Sequence, residues 1–306
     1  MVNEISCQDL AKVYDNGKEA LSAVSFTIPT TGIFALIGRN GAGKTTLTRI
    51  LSTLLEPSTG RATIDGLDVM DDAAELRNRM AVVPQEGRTI PWMSPVQMIT
   101  SYLLWRGMGY REAKSKAREA VALVGIQEHA DRLNRMLSGG MKRKTLVAMV
   151  IASGADLIFL DEPSTGLDPI SRKELWDLLM EISKDRFLFM TTHYLEEAEA
   201  IAGRIGILDS GRLLALGTMD ELRTGIGHQY VLRFPTGIEL PPFEGRVMVG
   251  RDGFSQVMTT EEGSHTLSKA LISRGVRFSL NPVSLEDIFY QAVGRKLDGE
   301  NGEGGE

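Results

Sequence analysis

Gly38-Arg39-Asn40-Gly41-Ala42-Gly43-Lys44-Thr45-Thr46 is the stretch that decides the fold, because it fits the phosphate-loop pattern GxxxxGK[ST]. Glycines in such a loop let backbone N–H groups curl around phosphate oxygens, while the lysine and the hydroxyl serve the phosphates and Mg²⁺. The apolar run Ile33–Ile37 before the loop predicts a buried strand, and residues 46–51 after it have helical spacing. This context places the phosphates at a helix N-terminus, where the helix dipole favours anions.

Two further motifs follow in a fixed order. Leu137-Ser138-Gly139-Gly140 precedes a helical pattern over residues 142–152, so Ser138 can cap that helix and the glycines can approach a phosphate closely. Residues 157–160 predict a buried strand that ends at Asp161 and Glu162. Together with the phosphate loop, these motifs predict a protein that binds and hydrolyses ATP.

The remaining pattern alternates strands with helices. Residues 81–85 and 187–190 predict buried strands, and residues 174–182 predict a helix between strands. This rhythm is typical of a parallel sheet whose ligand groups gather at the carboxyl ends of the strands, where Gln85, Asp161 and His193 stand. A strand over 61–64 indicates a β-rich flap, and the helical period of 96–124 indicates a helical insertion at about 86–136.

Composition limits the protein class. The chain of 306 residues has 42% hydrophobic and 24% charged residues, as an ordinary globular protein does. No apolar run reaches the roughly 18 to 20 residues that span a bilayer, and no signal-peptide pattern opens the sequence. The single cysteine, Cys7, cannot pair within the chain. We therefore expect a cytoplasmic protein whose membrane role is peripheral, and the net charge of −6 without a basic stretch argues against nucleic-acid partners.

The pattern changes after residue 225. Residues 230–234, 246–250 and 254–259 alternate like strands, and 265–273 predict a helix. We therefore predict an ATPase domain over 1–225 and a small α+β domain over 226–296. Residues 297–306, rich in Gly, Glu and Asp, predict a disordered acidic tail.

The ordered motifs give the chain a resemblance to the ATP-binding-cassette (ABC) ATPases. Within that family it is similar to the daunorubicin-resistance and multidrug export type, through Thr191-Thr192-His193-Tyr194-Leu195-Glu196-Glu197-Ala198-Glu199 and Pro282-Val283-Ser284-Leu285-Glu286-Asp287-Ile288-Phe289. The resemblance implies an α/β fold with a P-loop ATPase core of ABC type. It also implies a subunit on the cytoplasmic face of the membrane that powers a separate permease, for export of drugs, lipids or other small molecules.

The same resemblance implies a role for each matched residue. Lys44 would contact the β and γ phosphates, Glu162 would orient the attacking water and His193 would contact the γ-phosphate, and these three form the catalytic set. Thr45, Gln85 and Asp161 would hold Mg²⁺, Asp161 through water. Tyr14 would stack on adenine, with a strand-surface tyrosine as the alternative. The implied ATP-binding residues are Tyr14, Gly38, Arg39, Asn40, Gly41, Ala42, Gly43, Lys44, Thr45, Thr46 and Gln85.

Family members sandwich two nucleotides between two cassettes, which implies a second copy of this chain or a homologous subunit. Ser138, Gly139 and Gly140 would then act on the partner's nucleotide, and Asp168 would lie in the loop that crosses the interface. A helix N-cap before Pro169 is the alternative role for Asp168, and both roles are compatible. For Asp161 and Glu162 the alternative is an exposed acidic pair. If both reach one nucleotide, Glu162 must lie where its strand ends, because strand neighbours point to opposite faces.

Several points stay open at the sequence level. Arg39 and Met141 stand where the family usually has proline and glutamine. Residues 86–100 lack the family's usual acidic landmark, and residues 145–156 replace its common alanine- and arginine-rich helix and the proline of that helix. A soluble ABC ATPase that acts on ribosomes or DNA is the competing class, and a regulatory subunit with a degraded site is a third. The C-terminal domain could dock on the permease, brace a dimer or regulate turnover. Leu285, Ile288 and Phe289 could equally form one packed amphipathic face.

Overall fold

A computed structural model describes residues 3–249 and 253–300. The chain divides into two compact units, Met1–Leu216 and Gly217–Glu306. The boundary predicted at residue 225 thus falls within a helix of the second unit. Among the described residues, no helix is both long and apolar enough to cross a membrane.

The first unit contains a central sheet of mainly parallel strands. Its order is β10-β9-β3-β8-β7-β6, and β6, β7, β8, β3 and β9 pair in parallel. All residues of β3, β7 and β8 are buried, as expected for strands covered on both faces. The strand bounds are β3 Ile33–Ile37, β6 Met80–Val83, β7 Leu157–Asp161, β8 Phe187–Thr192, β9 Arg204–Asp209 and β10 Arg212–Gly217. The predicted parallel α/β core is confirmed.

A second sheet of the first unit is antiparallel, with the order β2-β1-β4-β5. Its strands are β1 Glu4–Val13, β2 Glu19–Pro29, β4 Thr59–Ile64 and β5 Leu67–Asp68. The sequence indicated this β-rich flap only through residues 61–64. Tyr14 follows the end of β1 rather than lying within a strand.

Seven α-helices are described in the first unit, and three of them form the helical insertion and its support. Helix α3 packs against α4, and both pack against α5. The helical pattern predicted over 96–124 is divided into α3 and α4, with Gly107 and Gly109 between them. The helices are α1 Lys44–Leu51, α2 Ala73–Arg79, α3 Pro95–Trp105, α4 Tyr110–Leu123, α5 Gly139–Ala152, α6 Pro169–Ile182 and α7 Leu195–Ile201.

A chain of aromatic rings joins the two sheets of the first unit. Phe26 of β2 stacks on Phe34 of β3 at 6.3 Å between ring centroids, Phe34 meets Phe189 at 5.1 Å, and Phe189 meets Phe159 at 5.4 Å. Helix α1 contacts strands of both sheets and adds Leu47, Ile50 and Leu51 to the same buried cluster. The core therefore fixes the helix that follows the phosphate loop.

The second unit is a small α+β domain, as predicted. Its antiparallel sheet has the order β12-β13-β11-β14. Leu267 and Leu271 of α9 pack on Leu232, Phe234 and Val257 of that sheet. The elements are α8 Met219–Ile226, β11 Tyr230–Pro235, β12 Gly245–Val249, β13 Phe254–Thr259, α9 Glu261–Ser273, β14 Ser279–Pro282 and α10 Leu285–Glu300.

Two boundaries of the second unit differ from the sequence prediction. Helix α9 begins at Glu261 rather than at residue 265, because the Thr260 side chain caps it by accepting from the Gly263 N–H. Helix α10 continues to Glu300 and so includes the first four residues of the predicted disordered tail. The prediction relied on the composition of residues 297–306 and did not take into account that a helix already formed adds further residues at little cost. Residues 301–306 of that tail and Gly250, the last residue of the strand predicted over 246–250, lie outside the described residues.

Candidate nucleotide site

The phosphate loop joins β3 to α1 in a backbone conformation that requires glycine. Gly41 and Gly43 have φ values of +84° and +108°. A Cβ atom on Gly43 would lie 2.4 Å from the carbonyl oxygen of Ala20 and 2.9 Å from Leu21 Cδ2. No side chain caps the first turn of α1 in the described structure, so its first N–H groups are available to an anion.

Lys44 lies across the loop with its side chain folded inward. It is only 5% exposed, and its Nζ donates to the carbonyl oxygens of Gly38 at 2.8 Å and Arg39 at 3.1 Å. Burial lowers the pKa of the Lys44 ammonium, while the nearby carboxylates of Glu162 and Asp161 oppose that shift. The lysine of the loop and the acidic pair therefore occupy one electrostatic environment.

The acidic pair lies where β7 ends. Asp161 is the last residue of the strand, and Glu162 turns the chain with φ +49°. Asp161 is 3% and Glu162 6% exposed, so the alternative of an exposed acidic pair is wrong. Thr191 Oγ1 donates to Asp161 Oδ1 at 2.5 Å and accepts from the Glu162 N–H at 3.0 Å. The expected position of Glu162 at a strand end is confirmed.

His193 follows β8 directly and meets the carboxylate of Glu162. Its Nδ1 lies 3.3 Å from Glu162 Oε2, and Thr165 Oγ1 donates to the same oxygen at 3.0 Å. The His193 ring lies against Tyr194, with 4.1 Å between ring centroids. The structure thus brings two of the three predicted catalytic residues into contact.

A cavity of about 380 Å³ is lined by half of the predicted site residues. Tyr14 and Gln85 line it beside the loop, and the Tyr14 hydroxyl lies 3.1 Å from Thr46 Oγ1. Lys18 and Ala20 also line it, although the sequence did not single them out. The predicted residues in its wall are Tyr14, Asn40, Gly41, Gly43, Lys44, Thr45, Thr46, Gln85 and Glu162. Those outside the wall are Gly38, Arg39, Ala42, Asp161, His193, Ser138, Gly139, Gly140 and Asp168.

The residues predicted to hold a metal fit Mg²⁺ by their chemistry. Thr45 and Gln85 line the cavity, and Asp161 is close enough to affect Lys44 electrostatically. They offer a hydroxyl, an amide oxygen and a carboxylate, which are the hard oxygen donors that Mg²⁺ prefers. Within the described residues there is no cluster of three or more His, Cys, Asp or Glu that could hold a metal.

The signature residues lie apart from the cavity. Ser138 caps α5 by accepting from the Met141 N–H at 3.2 Å, as the sequence predicted. Gly139 lines a second cavity of about 540 Å³, whose wall includes Gln85 and Thr165. Asp168 caps α6 by accepting from the N–H groups of Ile170 and Ser171, and these bonds, led by that of Ser171, lower the pKa of its carboxyl. The N-cap alternative for Asp168 is thereby confirmed.

Sequence reasoning missed two buried charged residues beside the site. Arg143 of α5 donates to the carbonyl oxygens of Asp161, Glu162 and Pro163. Glu197 of α7 is fully buried and accepts from Ser164 Oγ at 2.8 Å and Trp176 Nε1 at 2.9 Å. Arg143 lies in the helical pattern predicted over 142–152, and Glu197 lies in the run 191–199 that carries the family resemblance. A charged residue on the apolar side of such a helix is the signal that could have identified them, because charged residues are rarely buried without a partner.

The phosphate loop, the acidic strand end and the parallel sheet define a P-loop nucleotide-binding protein. The ABC transporter family profile matches residues 21–165. The chain is 33% identical to the daunorubicin/doxorubicin resistance ATP-binding protein DrrA of Streptomyces peucetius, over 96% of this chain and 93% of that protein. The chain belongs to the ABC transporter family, as an ATP-binding subunit with ATPase activity.

Other relatives cover the chain in part. It is 30% identical to the human phospholipid-transporting ATPase ABCA3 over 75% of this chain, which corresponds to 14% of that larger protein. Among solved structures, an ATP-binding subunit of an ABC transporter aligns with a TM-score of 0.65 and 26% identity, over 73% of this chain and 93% of that one. A dimeric ATP-binding cassette in a post-hydrolysis state with ADP and Pi shares the fold, with a TM-score of 0.65 at 22% identity over 70% of this chain and 98% of that one.

We expect Gly43→Ala to weaken ATP binding by about tenfold or more. Its Cβ would collide with main chain and with Leu21, in addition to the cost of about 1–2 kcal/mol for an L-residue in a left-handed conformation. Gly41→Ala is the matched control, because Gly41 also has positive φ but a Cβ there meets nothing within 4 Å. Isothermal titration calorimetry with Mg-ATP measures both. Equal affinities of the two variants would contradict the role of close packing at Gly43.

We expect Glu197→Gln to gain stability relative to the wild type as the pH rises. Burial raises the pKa of Glu197, against the opposing hydrogen bonds of Thr192, Ser164 and Trp176. The folded state therefore binds this proton more tightly than the unfolded state, so the wild type loses stability as the pH rises from the ordinary glutamate pKa of about 4.3 through the raised value.

The free energy of unfolding of Glu197→Gln relative to the wild type should change by at most about 1.4 kcal/mol per pH unit between the ordinary and the raised pKa of this glutamate. Urea unfolding of the first unit at pH 5, 6.5 and 8 measures it, with Glu196→Gln as the control because Glu196 is exposed on the same helix. A difference between Glu197→Gln and wild type that stays constant with pH, or that falls, would contradict the expectation.

Proposed function

We propose that two copies of this chain, or one copy and a homologous subunit, power a separate membrane permease by binding and hydrolysing Mg-ATP. The observation that carries the proposal is that Lys44 and Glu162 line one cavity beside the phosphate loop, while His193 lies against the Glu162 carboxylate. The relation to DrrA over nearly the whole length of both chains supports a drug-export type of subunit. We propose a peripheral position on the cytoplasmic face of the membrane.

In the proposed mechanism the loop and the first turn of α1 hold the phosphates. Lys44 would exchange its bonds to the Gly38 and Arg39 carbonyls for bonds to the β and γ phosphates, and Tyr14 would support the adenine. Thr45, Gln85 and Asp161 would hold Mg²⁺. When bound, Mg²⁺ neutralises charge that develops on the phosphates during transfer.

Glu162 would orient and polarise the attacking water. Its carboxylate lines the cavity and accepts a hydrogen bond from Thr165, and His193 Nδ1 lies 3.3 Å from the same oxygen. His193 would share its imidazole between Glu162 and the γ-phosphate. Such positioning and charge stabilisation supply most of the catalysis in phosphoryl transfer.

The second copy would complete each site. Ser138, Gly139 and Gly140 do not line the cavity beside the chain's own phosphate loop, and we propose that they act on the partner's nucleotide. Asp168, at the start of α6, would lie in the loop that crosses the interface. ATP binding would close the dimer, hydrolysis would reopen it, and the helical insertion would pass this movement to the permease.

We expect Glu162→Gln to bind ATP normally but to lower the turnover number by about 100-fold or more, since a positioned general base contributes about 10² to 10⁴. With Mg-ATP the variant should accumulate as a dimer. Phosphate release and size-exclusion chromatography with light scattering measure the two properties. Glu196→Gln, which removes an exposed carboxylate, should turn over like the wild type. Hydrolysis by Glu162→Gln at the wild-type rate would contradict the assigned role.

We expect the tagged chain to co-purify a polytopic membrane protein from detergent-solubilised native membranes, in stoichiometric amount by mass spectrometry. The reason is the proposed role as the ATP-binding subunit of a transporter, which the relation to DrrA supports. An untagged strain is the control. Recovery only from the soluble fraction, with ribosomal or DNA-associated proteins, would contradict the transporter proposal and leave the ATPase intact.

A further inference from the structure

Arg143 holds three successive carbonyl groups with one side chain. Its Nε donates to Pro163 O at 2.8 Å, and its Nη2 donates to Asp161 O at 2.9 Å and to Glu162 O at 2.7 Å. The residue is only 9% exposed. A guanidinium is a rigid planar group with several donors, so it can fix several acceptors at once in a way that no other side chain can.

These carbonyls belong to the segment that sets the direction of the Glu162 side chain. Glu162 has φ +49°, which a non-glycine residue adopts only where its surroundings enforce it. Strand β7 ends one residue earlier, so the sheet stops supporting the backbone at this point. Thr191 holds the Glu162 N–H from one side, and Arg143 holds the carbonyls from the other.

Arg143 also belongs to the helix that begins at the signature motif. Helix α5 starts at Gly139, immediately after its N-cap Ser138. Arg143 is one turn further along the same helix. A displacement of α5 would therefore pull on the three carbonyls directly, because hydrogen bonds of this length tolerate little movement.

We propose that Arg143 is a positioning residue for Glu162, which connects the signature helix rigidly to the backbone that carries the general base. The proposal rests on the proposed function, because it requires Glu162 to orient the attacking water. Arg143 itself touches no reacting atom. Its effect is to keep the Glu162 carboxylate in the one place from which it can act, where an error of about 1 Å can cost about 100-fold in rate.

Arg143→Gln tests this proposal. We expect the turnover number to fall by about 10- to 100-fold, with the dissociation constant for Mg-ATP within about twofold of the wild type, because the phosphate loop keeps its own contacts. Arg143→Lys keeps the charge but has a single ammonium in place of the planar fork. It should therefore restore the rate in part. Loss of ATP affinity in parallel with loss of rate would overturn the proposal.

Arg106→Gln is the matched control. Arg106 follows α3, and it donates to the carbonyl oxygens of Asn78 at 2.8 Å and Met80 at 2.9 Å, so it fixes main chain in the same way but at the junction of α2 and β6. Its loss should lower the melting temperature while the turnover number stays within about twofold of the wild type. An equal loss of rate in Arg106→Gln and Arg143→Gln would show general destabilisation and overturn the proposal.

The double variant Arg143→Gln/Glu162→Gln separates positioning from an independent role. If Arg143 acts through Glu162, its substitution should not slow Glu162→Gln further in single-turnover assays. A further slowing by the same factor as in the wild type would overturn the proposal. Wild-type turnover by Glu162→Gln would contradict the proposed function instead, whereas a slow Glu162→Gln beside a fast Arg143→Gln would contradict only the present inference.

Discussion

The buried ammonium of Lys44 is the interaction on which the site depends. A charge with 5% exposure is stable only where other groups replace water. Here two loop carbonyls accept hydrogen bonds from the ammonium, and the nearby carboxylates of Glu162 and Asp161 favour its charged form. The loop must therefore keep its carbonyls turned inward, and β7 must end beside it. The same ammonium makes the cavity attractive to an anion, because the carbonyl contacts can be exchanged for phosphate oxygens of higher charge.

The parallel sheet brings these groups together from distant parts of the sequence. Strands β3, β8 and β7 are neighbours, and their registers align Ile37 with Thr192 and Thr191 with Asp161. Because all three strands run in the same direction, the phosphate loop, His193 and the acidic pair leave the sheet at one edge. The pairing of Thr191 with Asp161 also explains the short hydrogen bond that fixes the carboxylate.

The sequence predicts the groups that follow fully buried strands, because an apolar run marks each strand and the next polar residue marks its end. Asp161 and His193 are of this kind, whereas Lys44 is predicted by the phosphate-loop pattern. Arg143 could not be predicted in the same way, since its partners are main-chain carbonyls that only tertiary packing brings within reach. Strand β14 was missed because all four of its residues are exposed, so it carries no alternating pattern.

The separation of the two glycine motifs argues for communication between two sites. Among the described helices, the starts of α1 and α5 both suit an anion, but a nucleotide in the cavity beside α1 would leave the start of α5 unused. If the start of α5 binds the nucleotide of a second copy, Arg143 carries the position of that helix to the backbone of Glu162 in its own site. Each site would then sense the occupancy of the other, and linkage requires such coupling to be reciprocal for binding.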